Sequence, residues 1–342
     1  MKKSKNFSIN RITFRCDAGE ISGVGTGHVY RSINIANFLK KKFRLKKKEI
    51  YFLIKYQNKF KSGYEIVRKN GFKIIKVDKD VLDYSTREIK ILNKFKSNLL
   101  IIDRLGKVNT RFINKINNNY KKKIILEDTS HNREKFDLSL NALIRDVKSV
   151  KNCKIGFEYM ILRLKKTNNK KNLKNNHVFM FFGGFDKKKY SLHLLKILEK
   201  LQFKLNINVP KIYIKNLKKI KTKHKLTFFD NKDYLDKLKT SNIVFSSGGL
   251  ILFDSILMNK KIICLPQYNH QKKNANELFK KGAIKYFTKI NENKILDFFL
   301  KIYDNQTYKR EIDFVQKQII NLKKIRRNYN LVGKIYEQSI SR

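Results

Sequence analysis

A glycine-rich segment that ends in histidine lies early in the chain, where it could supply a general base. An apolar run closes in Phe14-Arg15-Cys16-Asp17, Gly23-Val24-Gly25-Thr26-Gly27-His28 follows, and residues 29–39 have the apolar period of a helix. A strand, a glycine loop and a helix start predict that His28 lies at the carboxyl edge of a parallel sheet, where open α/β sheets bind ligands. A helix N-terminus disfavours an imidazolium, so a neutral ring there could accept a proton. The alternative is a structural histidine bonded to a loop carbonyl.

Two further glycine turns in the second half of the chain could bind a diphosphate. Phe181-Phe182-Gly183-Gly184-Phe185-Asp186 ends one apolar run, and Ser246-Ser247-Gly248-Gly249 ends another and opens a helical segment at 250–258. The N–H groups of a helix start favour anions, and glycine lets the backbone approach a ligand closely. Asp254, on that helix, is predicted to lie near ribose hydroxyls. The alternative is that the glycines serve only tight strand–helix turns.

Short apolar runs alternate with helix-period segments along the chain, a pattern that predicts parallel sheets covered by helices. In the first half the predicted strands are 12–15, 50–54, 72–77, 99–103 and 123–127, with helices near 29–40, 60–70, 84–95 and 109–119. In the second half the predicted strands are 178–182, 211–214, 226–229, 243–245 and 262–265, with helices near 188–201, 233–240, 249–258 and 274–281.

The length of 342 residues fits two domains of ordinary size. We expect an N-terminal domain over residues 1–165, a polar linker over 166–176, and a C-terminal domain over 177–342 that ends in a charged helical tail from residue 307. Two doubly wound halves predict a cleft at their interface.

The charge of the chain is its most unusual bulk property, because 79 Lys and Arg stand against 28 Asp and Glu, a formal net charge of +51. A polyanionic partner, either nucleic acid or a membrane surface, is one explanation. The other is compositional drift, since lysines occur in every segment and the chain has two prolines and no tryptophan. Without a zinc-ligand cluster or an RNA-binding signature, we expect no specific nucleic-acid partner.

Cysteine usage and hydropathy bear on the compartment. Cys16, Cys153 and Cys264 are odd in number and far apart, which favours free thiols over a disulfide framework. No segment reaches the roughly 18 apolar residues of a membrane span, and no apolar core follows the basic N-terminus. We therefore expect a soluble cytoplasmic protein. Neither a metal ion nor a cofactor is expected, because no His/Cys or paired-carboxylate ligand pattern occurs.

An ordered series of motifs runs along almost the whole chain. Its first part consists of Arg15, Asp17, Ala18, Gly25, Thr26, Gly27, His28 and Arg31. Its later parts are Leu100-Ile101-Ile102-Asp103, Glu127-Asp128, Asp137-Leu138-Ser139-Leu140-Asn141, Gly156, Tyr159, Leu162, Arg163, Phe182-Gly183-Gly184-Phe185-Asp186, Gly248-Gly249 and Asn274-Ala275. This series resembles the UDP-sugar hydrolases of pseudaminic acid biosynthesis (PseG) and the related spore-coat protein SpsG.

The resemblance implies an α/β, GT-B-like fold of two Rossmann-like, doubly wound domains that face a cleft, with UDP held mostly by the second domain. It implies metal-independent hydrolysis of a UDP-linked diacetamido-trideoxyhexose to free sugar and UDP, a step in nonulosonic acid biosynthesis, with His28 as general base. The substrate-binding residues we predict are Arg15, Asp17, Gly25, Thr26, Gly27, Arg31, Asp103 and His270. The UDP-binding residues we predict are Gly183, Gly184, Ser247, Gly248, Gly249, Asp254, Gln271 and Asn274.

The chain differs from the family at several loops that are expected to face the substrate. Arg104-Leu105-Gly106 follows Asp103 where the family usually has Tyr, and Leu250 replaces a small hydroxylic residue. Asp254 occupies the position where the family usually has Glu. Asn269-His270-Gln271 occupies the position of a Glu-Asn-Gln-like segment in the family. The identity of the sugar is therefore left open.

Several functional alternatives also stay open. His28 could deprotonate an acceptor hydroxyl instead of water, which would make the protein a GT-B glycosyltransferase with a UDP-sugar donor. A non-enzymatic anion-binding protein is the second alternative, motivated by the charge. Arg15 and Asp17 could pair to position the glycine loop, or Asp17 could touch the sugar. His270 could contact the ligand or serve only as a polar loop residue.

Overall fold

The computed structural model describes residues 10–19, 25–95, 97–116, 120–162, 176–230, 233–304 and 316. These residues form two compact units, one within Met1–Arg163 and the other within Leu164–Leu322. Gly23 and Val24, the predicted linker except Asn176, and the predicted helical tail except Gln316 lie outside the described residues. The domain boundaries stay a prediction.

The first unit is a parallel sheet with helices between its strands. Its strands are β1 (Ile12–Cys16), β2 (Ile50–Lys55), β3 (Lys73–Val77), β4 (Ser97–Gly106), β5 (Tyr120–Asp128), β6 (Leu138–Asn141) and β7 (Cys153–Ile155). They lie in the order β3-β2-β1-β4-β5-β6-β7. The helices are α1 (Gly27–Lys42), α2 (Lys61–Lys69), α3 (Thr86–Asn93) and α4 (Thr110–Ile116). Every strand and helix predicted for this half is confirmed, with ends that differ by a few residues.

The core of the first unit explains why these segments form a sheet covered on both faces. Every residue of β1 is buried, as expected for a central parallel strand. Phe14 of β1 stacks on Phe52 of β2 with ring centroids 4.8 Å apart. Val29, Ile33 and Ala36 of α1 are buried in the same hydrophobic core as these two rings. The predicted apolar face of the helix is therefore confirmed.

The second unit repeats the same architecture. Its strands are β8 (His177–Phe181), β9 (Asn206–Pro210), β10 (Lys225–Phe229), β11 (Ile243–Ser246), β12 (Lys261–Cys264) and β13 (Lys285–Tyr286), in the order β10-β9-β8-β11-β12-β13. The helices are α5 (Tyr190–Leu198), α6 (Ile214–Leu217), α7 (Tyr234–Thr240), α8 (Leu250–Leu257), α9 (Asn269–Lys280) and α10 (Glu292–Asp304). The described strand pairs of this sheet are also parallel.

One predicted strand of this half, 211–214, is wrong. The strand is Asn206–Pro210, and Lys211–Tyr213 forms a 3-10 turn that leads into α6. The apolar run that suggested a strand includes Ile212, which is 47% exposed, whereas Ile207 and Val209 are buried in the sheet. Asn208 interrupts the apolar pattern of the true strand, and its side chain donates to the Ser241 hydroxyl at 3.0 Å.

Both sheets reverse their strand order beside their first strand, between β1 and β4 in the first unit and between β8 and β11 in the second. Ligands of open α/β sheets bind outside the carboxyl ends of the strands at such a switch point. α1, the helix after β1, carries His28 in its first turn, and the loops after β8 and β11 carry the two diglycines. No helix within the described ranges is long and apolar enough to cross a membrane.

Candidate active site

The glycine loop delivers His28 to the first turn of α1. Gly25 has φ of +50°, a left-handed conformation that L side chains rarely adopt, and its carbonyl accepts from the Gly19 N–H at 3.0 Å. The helix begins at Gly27, with Gly25, Thr26 and Gly27 half-buried. His28 is buried, with 8% of its surface exposed.

His28 is held by a carboxylate from the neighbouring strand. The parallel ladder pairs Cys16 of β1 with Asp103 of β4, which places the Asp103 side chain beside the glycine loop. The Oδ1 atom of Asp103 lies 2.8 Å from Nδ1 of His28. Because an ionised carboxylate only accepts hydrogen bonds, Nδ1 carries the hydrogen in this pair. In a neutral ring with this hydrogen on Nδ1, the Nε2 atom is the acceptor, as a general base requires.

Arg31 fixes Asp103 from the other side. Its Nε atom donates to Asp103 Oδ2 at 2.8 Å, and a second guanidinium nitrogen donates to Oδ1, so the pair is bidentate. Burial alone would raise the pKa of Asp103, but the charge and hydrogen bonds of Arg31, with the His28 contact, lower it to about 2. Asp103 is thus ionised at neutral pH, although its side chain is fully buried.

Glu127, at the carboxyl end of β5, completes this network. Its Oε1 atom accepts from Arg31 at 2.8 Å. The carboxylate also accepts backbone N–H groups from the turn after β6, including those of Leu143 at 3.1 Å and Ile144 at 2.9 Å. Arg31 therefore lies between two buried carboxylates and is itself 2% exposed.

A second buried ionic cluster lies beside the first, at the carboxyl ends of β1, β2 and β4. Arg15 donates to Glu88 at 2.5 Å and pairs with Asp17 at 2.7 Å. Arg104 forms a bidentate pair with Glu88, with both distances 2.7 Å. Burial would raise the pKa of Glu88, but Arg104 and Arg15 together hold it well below its usual range.

The outer end of this cluster reaches the surface through Asp83. Its Oδ1 atom lies 3.2 Å from Lys55 Nζ and 3.2 Å from Arg104, and its side chain is 41% exposed. Asp17 accepts the Lys55 backbone N–H at 2.9 Å, which ties the end of β1 to the end of β2. The predicted pairing of Arg15 with Asp17 is therefore present.

Four residues predicted to bind substrate are enclosed by protein partners. Arg15, Asp17, Arg31 and Asp103 are all buried and satisfied by the contacts above. In this arrangement Asp103 and Arg31 lie against His28, whereas Arg15 and Asp17 pair with each other. Direct contact of the glycine loop with a ligand stays a prediction.

The first diglycine of the second unit lies in a loop braced by two side chains. The Tyr213 hydroxyl accepts the Phe182 N–H at 2.8 Å and donates to the Gly183 carbonyl at 2.7 Å. The Gln267 amide donates to the Phe182 carbonyl at 2.6 Å. Asp186 accepts the N–H groups of Tyr190 and Ser191 and so caps α5.

The second diglycine lies one residue after β11 and packs against α9. A Cβ on Gly248 would lie 2.6 Å from the Gln271 carbonyl oxygen, so only glycine allows this approach. Ser247 is buried, and Gly249 is the N-cap residue of α8. The Gln271 amide oxygen accepts the Gln267 N–H at 2.9 Å. Gly183 and Gly184 thus follow one strand of the switch point, and Gly248 and Gly249 follow the other.

The remaining predicted UDP-binding residues lie on α8 and α9. Asp254 is 2% exposed, and the Tyr234 hydroxyl donates to its Oδ2 atom at 3.0 Å. Gln271 and Asn274 are buried on α9. His270 is half-buried, and its ring stacks on Tyr268 with centroids 5.9 Å apart. Ligand contact by these residues stays a prediction.

Sequence reasoning missed four residues that organise these loops, namely Glu88, Arg104, Tyr213 and Gln267. Arg104 was visible only as a difference from the family pattern, whereas Glu88 lies on α3 with no motif around it. Tyr213 lay inside the segment mistaken for a strand. Within the part of the chain that the structure describes, no three His, Cys, Asp or Glu side chains group to hold a metal ion. Cys16, Cys153 and Cys264 are free thiols, as predicted.

We compared the sequence with protein families and with curated proteins. No protein-family model matches the chain. An uncharacterized protein of Methanocaldococcus jannaschii, MJ1062, is 27% identical over 307 residues, covering 80% of this chain and 60% of that protein. The chain therefore spans about 60% of the length of this curated relative.

Solved structures resemble the chain over nearly its whole length. MurG of Acinetobacter baumannii superposes with a TM-score of 0.62 at 11% identity, covering 95% of this chain and 99% of that one. Arabidopsis thaliana UGT89C1, solved with UDP-L-rhamnose, gives 0.60 at 10% identity, covering 95% and 99%. A putative UDP-N-acetylglucosamine 2-epimerase of Listeria monocytogenes gives 0.59 at 12%, covering 97% and 98%. The fold is GT-B-like, with two Rossmann-like units, as the sequence predicted.

Proposed function

We propose that the protein is an enzyme that cleaves a UDP-sugar at its anomeric carbon, with His28 as the general base. The observation that carries this proposal is the 2.8 Å contact between Asp103 and His28 Nδ1, at the switch point of the first sheet. This contact leaves Nε2 as the proton acceptor, and the bidentate Arg31 keeps Asp103 ionised and oriented. An imidazole oriented by a carboxylate is suited to activating a hydroxyl group or a water molecule.

The chemistry assigned to His28 is a single proton transfer. Nε2 takes a proton from the attacking oxygen as that oxygen forms a bond to the anomeric carbon. The bond from this carbon to the diphosphate oxygen breaks, and UDP leaves with the bonding electrons. UDP is a good leaving group, so stabilisation of its charge by N–H groups and cations can replace a strong general acid.

We assign UDP binding to the second unit, where three features support it. The two diglycines follow adjacent strands at the switch point. α8 begins directly after Gly249, so its first N–H groups are available to an anion. Asp254 supplies a carboxylate on the same helix for hydrogen bonds with ribose hydroxyls.

Water is the nucleophile that the motif series favours. The ordered residues from Arg15 to Ala275 resemble the UDP-sugar hydrolases of pseudaminic acid biosynthesis, and Glu127, Asp103 and Arg31 of that series meet in one network. On this basis we propose hydrolysis of a UDP-linked diacetamido-trideoxyhexose, giving the free sugar and UDP.

A glycosyltransferase is the second candidate, and the solved relatives favour it. Besides UGT89C1, the spinosyn forosaminyltransferase SpnP superposes with a TM-score of 0.62 at 10% identity. In this version, His28 deprotonates the hydroxyl of an acceptor, and the remaining assignments are unchanged.

Incubation of the purified protein with a panel of UDP-sugars, in buffer containing EDTA and no acceptor, tests the proposal. A hydrolase releases UDP and free sugar in equal amounts from one member of the panel. A glycosyltransferase releases UDP only after a hydroxylated acceptor is added. Absence of UDP release from a wide panel, with and without acceptors, would contradict both versions.

A further inference from the structure

We propose that the first unit binds an anionic membrane surface through the turn between α1 and β2. This turn, residues 40–48, reads Lys-Lys-Lys-Phe-Arg-Leu-Lys-Lys-Lys and is called the basic turn below. It lies at the amino edge of the first sheet, where the parallel strands begin, whereas His28 lies at the other edge, where they end. The inference does not depend on the proposed function, because it concerns a surface away from His28.

The basic turn is far richer in cations than the rest of the chain. Seven of its nine residues are Lys or Arg, against 79 of 342 in the whole chain. The negative end of the α1 dipole favours Lys40, Lys41 and Lys42 in the last turn of the helix. Arg44 and residues 46–48 lie beyond α1, so the dipole does not explain them. Compositional drift, which spreads lysines over all segments, does not explain this density either.

Backbone and core contacts hold the basic turn in place. Leu45 is buried in the hydrophobic core of the unit, and its N–H donates to the Lys40 carbonyl at 2.9 Å. The Glu49 carboxylate accepts the Lys46 N–H at 2.7 Å. Arg44 has φ of +54°, a left-handed conformation that is sterically unfavourable for a residue with a Cβ atom. These contacts anchor the backbone that carries the cations.

Most cations of the basic turn are exposed and have no acidic partner. Lys41, Arg44 and residues 46–48 are exposed. Within the part of the chain that the structure describes, no ion pair includes any of these five residues or Lys40. The Lys47 ammonium lies 5.8 Å from the centroid of the Phe72 ring. The charge of this surface is therefore available to an external anion.

The charges of the first unit are divided between the two edges of its sheet. Cations continue along the amino edge, because Arg11 before β1 and Lys73 at the start of β3 each lie 5.2 Å from the centroid of the Tyr51 ring. Asp137, before β6, is paired with Lys122 at 2.8 Å. Six acidic residues lie at the carboxyl ends of β1, β4 and β5 or in the loop after β3, namely Asp17, Asp78, Asp83, Asp103, Glu127 and Asp128.

A lipid surface fits the amino edge better than a nucleic acid does. Adsorption to an anionic bilayer needs only clustered Lys and Arg, each of which strengthens binding about fivefold. Binding of single-stranded nucleic acid also uses aromatic rings on which bases stack. Among the described residues, the exposed large apolar side chains are Leu82, Phe185, Ile212 and Phe279, and none belongs to the basic turn. A protein adsorbed through this edge keeps the edge that carries His28 towards solvent.

Co-sedimentation of the full chain with lipid vesicles tests the inference. The vesicles contain either phosphatidylcholine alone or two parts phosphatidylcholine to one part phosphatidylserine, at physiological salt. We expect the wild type to sediment with the anionic vesicles only, and its binding to weaken as salt is raised. Failure of the wild type to bind the anionic vesicles would overturn the inference.

A triple variant of exposed lysines in the basic turn tests the location. Lys41→Gln, Lys46→Gln and Lys48→Gln together are expected to lower the partition coefficient on anionic vesicles by about 10²-fold. If the triple variant fails to fold, as judged by circular dichroism, Lys41→Gln and Lys48→Gln are measured singly, with a loss of about fivefold expected for each. Unchanged binding in these variants would overturn the inference.

The matched control removes three exposed lysines that follow β3, β4 and β5 at the other edge, namely Lys79, Lys107 and Lys135, each replaced by Gln. A strand of five residues spans about 16 Å, about twice the Debye length of about 8 Å, so we expect a change of less than about threefold. Equal losses in the two triple variants would show that net charge, not the basic turn, determines binding.

A competition with RNA separates the two kinds of anionic partner. We expect RNA at an equal phosphate concentration to leave most of the protein on the anionic vesicles. Displacement of the protein by RNA would make nucleic acid the preferred partner and overturn the inference. Absence of UDP-sugar turnover would instead contradict only the proposed function and leave the vesicle result standing.

Discussion

The Asp103 carboxylate and the His28 imidazole meet at 2.8 Å although 75 residues separate them in the chain. The parallel register between β1 and β4 brings them together, because it pairs Asp103 with the last residue of β1 just before the glycine loop. The contact selects the tautomer with hydrogen on Nδ1 and leaves Nε2 as the acceptor. The ability of His28 to act as a base therefore depends on Asp103 as much as on the loop.

Asp103→Asn tests this dependence. Asparagine keeps the shape of the side chain, but its amide can donate to Nδ1 and so select the opposite tautomer. We expect turnover to fall by about 10²-fold or more, with UDP affinity nearly unchanged. Steady-state kinetics and calorimetric UDP titration measure the two quantities. Wild-type turnover in this variant would show that Asp103 does not orient the base.

Glu88→Gln tests the second ionic cluster. Glu88 is buried between Arg15 and Arg104, and removal of one partner from a buried charged pair costs about 3–5 kcal/mol. We expect the free energy of unfolding, measured with urea, to fall by about this amount. Glu65→Gln is the matched control, because its pair with the exposed Arg68 contributes about 1 kcal/mol or less. An equal loss in the two variants would contradict the account.

The same cluster and Asp103 predict how stability depends on acidity. Burial alone would raise the folded-state pKa of both Glu88 and Asp103. The paired arginines outweigh burial, so the pKa of Glu88 lies well below its usual range and that of Asp103 falls to about 2. Their stabilisation is present above the unfolded-state values of about 4 and is lost as the pH falls through the folded-state values. We expect the free energy of unfolding to decline from about pH 5 towards pH 2, less steeply in Glu88→Gln. A pH-independent free energy over this range would contradict the prediction.

Asp254→Asn tests the assignment of UDP to the second unit. Loss of a charged acceptor for the ribose hydroxyls is expected to weaken UDP binding by about 1.5–3 kcal/mol, roughly 10-fold or more in Kd. Asp236→Asn is the control, because the Asp236 side chain is 77% exposed on α7. Equal UDP affinity of Asp254→Asn and wild type in titration calorimetry would remove Asp254 from the site.

Nucleic-acid binding tests whether the charge of +51 has a specific partner. If the charge reflects only drift in amino-acid composition, we expect binding to DNA or RNA to be independent of nucleic-acid sequence. Such binding depends on counterion release, so its Kd is expected to be about 10⁻⁴–10⁻⁶ M at physiological salt. Fluorescence anisotropy over a salt series measures this. A sequence-selective nanomolar complex that survives raised salt would favour the anion-binding alternative over an enzyme.

Local patterns were enough to predict the architecture and the place of His28. Apolar runs marked β1, β2 and β4, and the glycines before His28 marked the strand-to-helix turn. These features depend on residues that are neighbours in the chain. The parallel order then follows from the alternation of strands and helices.

The features that the sequence did not predict depend on contacts between distant segments, on strands that contain polar residues or on very short strands. The Asn206–Pro210 strand carries Asn206 and Asn208, so its pattern lacks an apolar run. β7 and β13 are three and two residues long, too short to show a period. Glu88 and Arg104 pair across elements, and no spacing rule connects them.

The most direct test of the central claim is the turnover and UDP affinity of His28→Ala beside His131→Ala, whose side chain is 61% exposed. The wild-type substrate is the UDP-sugar that the panel identifies, and UDP release is the signal. We predict that His28→Ala lowers turnover by about 10²-fold or more and keeps wild-type UDP affinity. We expect His131→Ala to keep both the turnover and the UDP affinity of the wild type. Wild-type turnover in His28→Ala would contradict the account.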